Sequence, residues 1–192
     1  MNRWNLLVTS LCCLCLCTAN AQLYINELCS KNDTVVADAD GDFVDFIELY
    51  NAGPGSYDLT GHYLSSDPQN LQEWAFPAVA IPENEYLLVF ASGKNRTTPD
   101  LHTNFNLSRS GELLTLTNAQ GSTIDQLLVG MLRANHSYGR YPDGGAKAYY
   151  FEQPTPTESN STTAKNGYAP TPSASAIQGF YEAPFNLSLI HI

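Results

Sequence analysis

From residue 22 onward the chain consists of short apolar runs cut apart by glycine, proline, asparagine and aspartate. No stretch holds its apolar residues at the three-and-four spacing of an amphipathic helix, so the pattern predicts an all-β protein. The first expected strand covers residues 23–29 and the second 43–50. In the second, Ile47 and Leu49 share one face while Phe46, Glu48 and Tyr50 share the other, because side chains alternate across a strand. Two glycines and a proline within 51–55 then break it. Further strands are expected at 57–65, 72–76, 85–91, 111–117 and 123–129. The run 85–91 is apolar on both faces and reads as a central strand. Residues 137–141 and 148–151 flank Asp143-Gly144-Gly145, a hairpin signal. About eight or nine strands in roughly 130 residues suit an immunoglobulin-like β-sandwich. Alternation alone does not separate that from a Greek-key barrel.

The two ends read differently. Residues 1–21 carry Arg3, an apolar core and a small-x-small site at Ala19-Asn20-Ala21, the pattern of an export signal too short to span a bilayer. The expected location is therefore extracellular or at the cell surface, with no transmembrane segment in the mature chain. Four of the five cysteines would leave with the signal, and Cys29, then unable to pair within the chain, reads as a small buried strand residue. After the expected sandwich (22–158), residues 159–176 are rich in Pro, Ser, Thr and Ala and read as a solvated linker. Residues 177–192 look like the truncated start of a second β-domain. Their last few residues, Leu-Ser-Leu-Ile-His-Ile, match what one frame of a sequencing-library adapter would encode.

Nine basic residues against nineteen acidic ones give a net charge of −10, and loss of Arg3 would make it −11. Nucleic acid is excluded as a partner, because binding phosphates needs a basic stripe and the basic residues are scattered. The acidity suits an exported, soluble module with an affinity for divalent cations.

Four patches resemble lamin tail domains of secreted bacterial surface proteins. They are Ile25-Asn26-Glu27 with the acid cluster and Asp45-Phe46-Ile47-Glu48-Leu49-Tyr50-Asn51; Asp58-Leu59-Thr60-Gly61-His62-Tyr63-Leu64-Ser65; Trp74-Ala75-Phe76-Pro77 through Tyr86-Leu87-Leu88-Val89; and Ser137-Tyr138-Gly139-Arg140-Tyr141-Pro142-Asp143-Gly144 with Pro154-Thr155-Pro156. The resemblance implies an immunoglobulin-like sandwich without a reaction of its own. Two positions depart from the family pattern: Phe46, where tryptophan is common, and Thr157, where glycine often follows Pro-Thr-Pro. Residues 179–187 resemble the first strand of the small C-terminal domain of chitobiase-type enzymes.

Asp38, Asp40, Asp42 and Asp45 place four carboxylates within eight residues around Gly41 and form the candidate metal site, one that would suit calcium. An EF-hand is excluded, since Phe43 stands where its glycine is needed and Leu49 where its glutamate is needed. A solvated acidic turn is the preferred reading over a metal site, so no cofactor is expected and calcium is the alternative. Glu48 shares its face with two aromatics, and a buried charge needs a partner, so a structural ion pair with Arg140 is expected. No catalytic residue is assigned: Gly-x-Ser-x-Gly, His-Glu-x-x-His and phosphate-loop patterns are absent, and His62, His102 and His136 read as surface or turn residues. Six Asn-x-Ser/Thr triplets, among them Asn32, Asn95 and Asn135, are incidental if the chain is bacterial, and a eukaryotic source would change that reading. The expected function is a non-catalytic module contacting protein or glycan, or presenting a downstream domain. The alternative is an accessory domain of an extracellular hydrolase or spore-coat-kinase-like enzyme.

Overall fold

The computed structural model describes residues 22–170, 173–175, 187 and 189–190. The expected signal peptide and most of the expected second β-domain lie outside them. Among the described residues there is no helix, and hence none long and apolar enough to cross a membrane. The strands are β1 (Leu23–Cys29), β2 (Phe46–Asn51), β3 (Tyr57–Asp58), β4 (Tyr63–Ser65), β5 (Trp74–Ala75), β6 (Ala80–Ile81), β7 (Tyr86–Phe90), β8 (Glu112–Thr117), β9 (Thr123–Val129), β10 (Ser137–Arg140) and β11 (Ala148–Phe151). A further short antiparallel pair joins β12 (Ser173–Ala174) to β13 (Leu189–Ile190).

Two antiparallel sheets face each other: β11-β10-β1-β2-β7 and β5-β4-β8-β9, with β3-β6 as a small ribbon. The fold is an all-β, immunoglobulin-like sandwich. Alternation in β2 holds as expected. Ile47 and Leu49 point into the core with Leu64, Leu114 and Leu116, all fully buried. Phe46 points the other way and joins Cys29 and Phe90 in a small cluster on the outer face. Trp74 packs edge-on against Phe76 at 4.9 Å between ring centres. Strand β7 is an edge, not the central strand that its apolar run suggested; its outer face is covered by loops, which explains why both faces are apolar.

In β1 the pairing with β2 shifts between Ile25 and Glu27. A bulge adds one residue and so reverses which side chains face the core. Leu23 and Ile25 point inward before it and Leu28 after it. Glu27 and Cys29 are thereby placed on the outer face, and Glu27 stands directly opposite Glu48. The bulge is what brings the two carboxylates together.

Residues 159–168 depart from the linker expectation. Asn160 is 1% exposed, the backbones of Lys165 and Tyr150 exchange hydrogen bonds of 2.8 and 2.9 Å, and the Tyr168 ring lies 4.9 Å from that of Tyr150. Few large apolar residues are needed here, because the segment is tied down by polar contacts and one aromatic.

Candidate functional site

Several polar motif residues gather on the outer face of the five-stranded sheet, where two polar clusters form. The first sits on the adjacent strands β1 and β2. Glu27 and Glu48 are both 0% exposed, and among the described residues neither forms an ion pair. Backbone and neutral donors satisfy them instead. Glu27 accepts from the Ser137 hydroxyl at 2.5 Å and from the Thr155 N–H at 3.1 Å. Glu48 accepts from the Thr157 N–H at 2.5 Å and from the Asn26 amide at 3.2 Å. The Pro-Thr-Pro-Thr segment is thus hung from two strand carboxylates by its alternate amides. Prolines between the threonines have no N–H to offer, so the spacing leaves two donors aimed at the sheet.

Burial pushes the Glu27 carboxyl up to about 7, against the hydrogen bonds from Ser137 and Thr155. Burial, with the neighbouring Glu27 charge, pushes Glu48 up to about 8. The two titrate as a coupled pair holding protons at neutral pH. Asp143 completes the cluster. Its Oδ1 accepts from the Asn160 N–H and the Asn26 amide, both at 3.0 Å, and its Oδ2 accepts from the Tyr86 hydroxyl at 2.8 Å. Burial raises its carboxyl, but these bonds and one from Ser159 outweigh that and hold it below its usual value. Gly139, opposite Glu27, lets this packing close: a Cβ there would sit 2.6 Å from the Asn26 carbonyl and 2.9 Å from the Asn160 amide.

Arg140 does not pair with Glu48. Two residues' alternation puts it with Tyr138 on the inner face of β10, whereas Glu48 is on the outer face of β2. Arg140 reaches across the sandwich to Asp125 on β9 at 2.7 Å and donates to the carbonyls of Ile25 and Gly145. Asp125 also accepts from the Ile25 N–H at 2.8 Å. The pair is a staple between the sheets, and burial raises the Asp125 carboxyl despite the guanidinium.

The second cluster is the acid loop. Asp38, Asp40 and Asp42 converge, with ligand oxygens within 4.8 Å of one another. Asp38 organises the turn, its Oδ1 accepting from the N–H groups of Asp40 and Asp42 at 2.9 Å each. Asp45 lies apart, half-buried on the approach to β2, accepting weakly from the Asn32 N–H at 3.4 Å. Burial pushes its carboxyl up to about 6. At the focus of the other three stands Lys94, its Nζ 2.5 Å from Asp38 and 2.8 Å from both Asp40 and Asp42. Arg96 adds a bond of 2.6 Å to Asp40. Burial opposes ionisation of Asp38, but Lys94 and the two amides outweigh it and pull the carboxyl down to about 2. The ammonium occupies the place that a calcium ion would take, so an ion would have to displace it.

His102 was expected at the surface and is instead fully buried, 2.8 Å from the Ser92 hydroxyl and 3.9 Å from Asp38. This has the composition of a catalytic triad but the wrong proton. Arg96 donates to Nε2 at 3.1 Å, so Nε2 is the acceptor, and Nδ1 carries hydrogen and donates to Ser92. Such a histidine cannot take the serine proton. Burial and the two nearby cations also lower its basicity. Lys94, Arg96 and His102 are the residues that sequence reasoning missed. Their signal was two bases, two residues apart, in a base-poor chain. Two of the glycosylation-like triplets, at Asn32 and Asn135, hold loops in place. Asn32 is 4% exposed and brackets its loop, and the Asn135 side chain accepts from the N–H groups of Asp33 and Thr34.

Among curated proteins nothing matches the chain. A family model described as Lamin Tail Domain matches residues 18–130. β10 and β11 lie beyond that span, yet β10 pairs directly with β1 and so belongs to the same sheet. Matched over more than half its length, the chain belongs to the lamin tail domain family.

Proposed function

We propose that this chain is an exported, non-catalytic β-sandwich module that contacts a protein or glycan at a bacterial cell surface, or presents a downstream domain there. One observation carries the reading. Each strongly perturbed carboxylate in the family motifs is engaged by a backbone amide, a neutral side chain or a cation of the same chain. Groups spent in this way hold loops in place and are not free for substrate. Calcium remains a proposal for the acid loop, on condition that it displaces Lys94. A second reading, an accessory domain of an extracellular enzyme, is favoured by the likeness of residues 179–187 to a chitobiase-type C-terminal domain. To test the module reading, the full chain is labelled and its retention on producing cells is measured. Saturable retention, competed by unlabelled chain, is expected. Retention no greater than that of an unrelated acidic protein would sink it.

A further inference from the structure

Strand β7 is the edge of the five-stranded sheet, and its neighbours fix which of its peptide groups face outward. The Ala91 N–H donates to the Asp45 carbonyl at 2.7 Å and the Asn51 N–H to the Glu85 carbonyl at 3.1 Å. Odd-numbered residues from 85 to 91 therefore bond to β2, and even-numbered ones turn their N–H and C=O away from it. Phe90 uses both of its groups: its N–H donates to the Leu101 carbonyl at 2.8 Å, and its carbonyl accepts from the Thr103 N–H at 2.9 Å. The 101–103 segment runs parallel to it there. One step upstream the row stops. The main-chain groups of Tyr86 and Leu88 have no partner among the described residues.

In front of this bare edge lies a groove of about 530 Å³, lined by Val36, Leu88, Phe90, Leu101, Asp100 and Thr157 among others. The volume is in the range of ligand sites, and its apolar floor is made of side chains from the edge strand itself. The surrounding loops carry Asp38, Asp40, Asp42, Asp100 and Glu158, against Lys94 and Arg96, both already bound to the acid loop. Charge here is negative, as it is for the whole chain at −10.

We infer that β7 is a strand-addition edge: an extended, cationic segment of a partner protein pairs with Tyr86 and Leu88, its apolar side chains entering the groove and its Lys or Arg residues meeting the carboxylates. An unpaired strand edge beside an apolar groove is the arrangement that β-augmentation uses, with main-chain bonds for affinity and the groove for selection. The chain already extends the sheet this way at Phe90, so the added strand would continue an existing row. The inference rests on the binding-module reading above and names the partner's chemistry.

The test uses the full chain, labelled for NMR, with the synthetic peptide acetyl-Lys-Val-Lys-Val-Lys-amide as probe. Binding is expected, with slowing of Leu88 amide exchange by about tenfold or more. N-methylation at alternate peptide residues should weaken binding by about tenfold or more, since it removes main-chain donors and leaves charge and side chains alone. The same peptide with Glu for Lys should not bind. Leu88→Pro deletes an outward N–H that the ladder does not use, and should abolish binding while the chain stays folded. No binding, binding indifferent to N-methylation, or an unchanged Leu88 amide would each overturn the inference. So would a Leu88 amide already protected in a concentration-dependent dimer, which would give the edge to a second copy. Retention on cells without peptide binding would overturn this inference alone and leave the proposed function standing.

Discussion

Raising the pH from 6.5 to 8.5 should destabilise this protein, opposite to the usual behaviour of a carboxylate-rich chain. Glu27 and Glu48 have ordinary values near 4.5 when unfolded but about 7 and about 8 in the folded sheet. Across this window the unfolded chain has both carboxylates ionised, while the folded chain retains protons. The native state binds more protons, so its stability is full below pH 4.5 and is lost as pH rises through 7 and 8. Each retained proton costs about 1.4 kcal/mol per pH unit, and within the window Glu27 keeps its proton for roughly half a unit and Glu48 for roughly one and a half, so the loss is ~2–3 kcal/mol. Asp45, raised to about 6, acts in the same direction but mostly below it. Asp38, drawn down to about 2, acts oppositely and titrates far below. The histidines His102 and His136 are lowered and oppose the trend only below their ordinary 6.5, which is why the window starts there. For a domain of this size each kcal/mol moves Tm by roughly 2–4 °C, so a fall of ~5–10 °C is expected. Thermal unfolding in buffers of constant ionic strength measures it, and Glu48→Gln should flatten the slope. A Tm that stays level or rises from pH 6.5 to 8.5 would refute the buried-dyad reasoning.

Three substitutions probe the rest of the outer face and the staple. Thr157 has φ +68°, a conformation that costs a β-branched residue about 1–2 kcal/mol, so Thr157→Gly should raise Tm by a few degrees; a fall would mean that its side chain matters more than its backbone. Arg140→Met leaves Asp125 buried without its cation and should cost about 3 kcal/mol or more by denaturant unfolding, with Arg140→Lys failing to restore the forked contacts. A cost under ~1 kcal/mol would remove the staple from the account. Lys94→Met should make the acid loop responsive to calcium: millimolar calcium should raise Tm for the variant and leave the parent unchanged, while equal shifts would show that Lys94 does not hold the ion's place.

Much of this was legible in the chain, and the losses have identifiable causes. Period-two alternation put Ile47 and Leu49 on one face and Glu48 on the other, because a strand's faces follow directly from residue parity; the structure shows that the first face is the core. The same parity assigns Arg140 only once its neighbours are known, and sequence says nothing of which strand lies beside which. Hence the expected Glu48–Arg140 pair failed: the two side chains leave opposite faces of one sheet. The bulge at Ile25–Glu27 is equally silent in sequence, yet it decides that Glu27 and not Leu28 faces outward. Glu48 is buried, but it is met by the Thr157 N–H and the Asn26 amide, with its carboxyl pushed up to about 8, and not by a cation. Composition misled at residues 159–168, where low apolar content implied solvation although Asn160 is buried by hydrogen bonding. Thr157, flagged only as a departure from a family pattern, turns out to occupy a glycine-like backbone position.

The central claim is that the motif carboxylates Glu27 and Glu48 act by holding the Pro-Thr-Pro-Thr segment to the sheet. Amide hydrogen exchange at Thr155 and Thr157 reads those two bonds directly. Below pH 7 both amides should exchange as slowly as those of β1 and β2, and in Glu48→Gln the Thr157 amide should speed up more than that of Thr155. Exchange of both amides at the rate of an unstructured peptide in the parent protein would contradict the account.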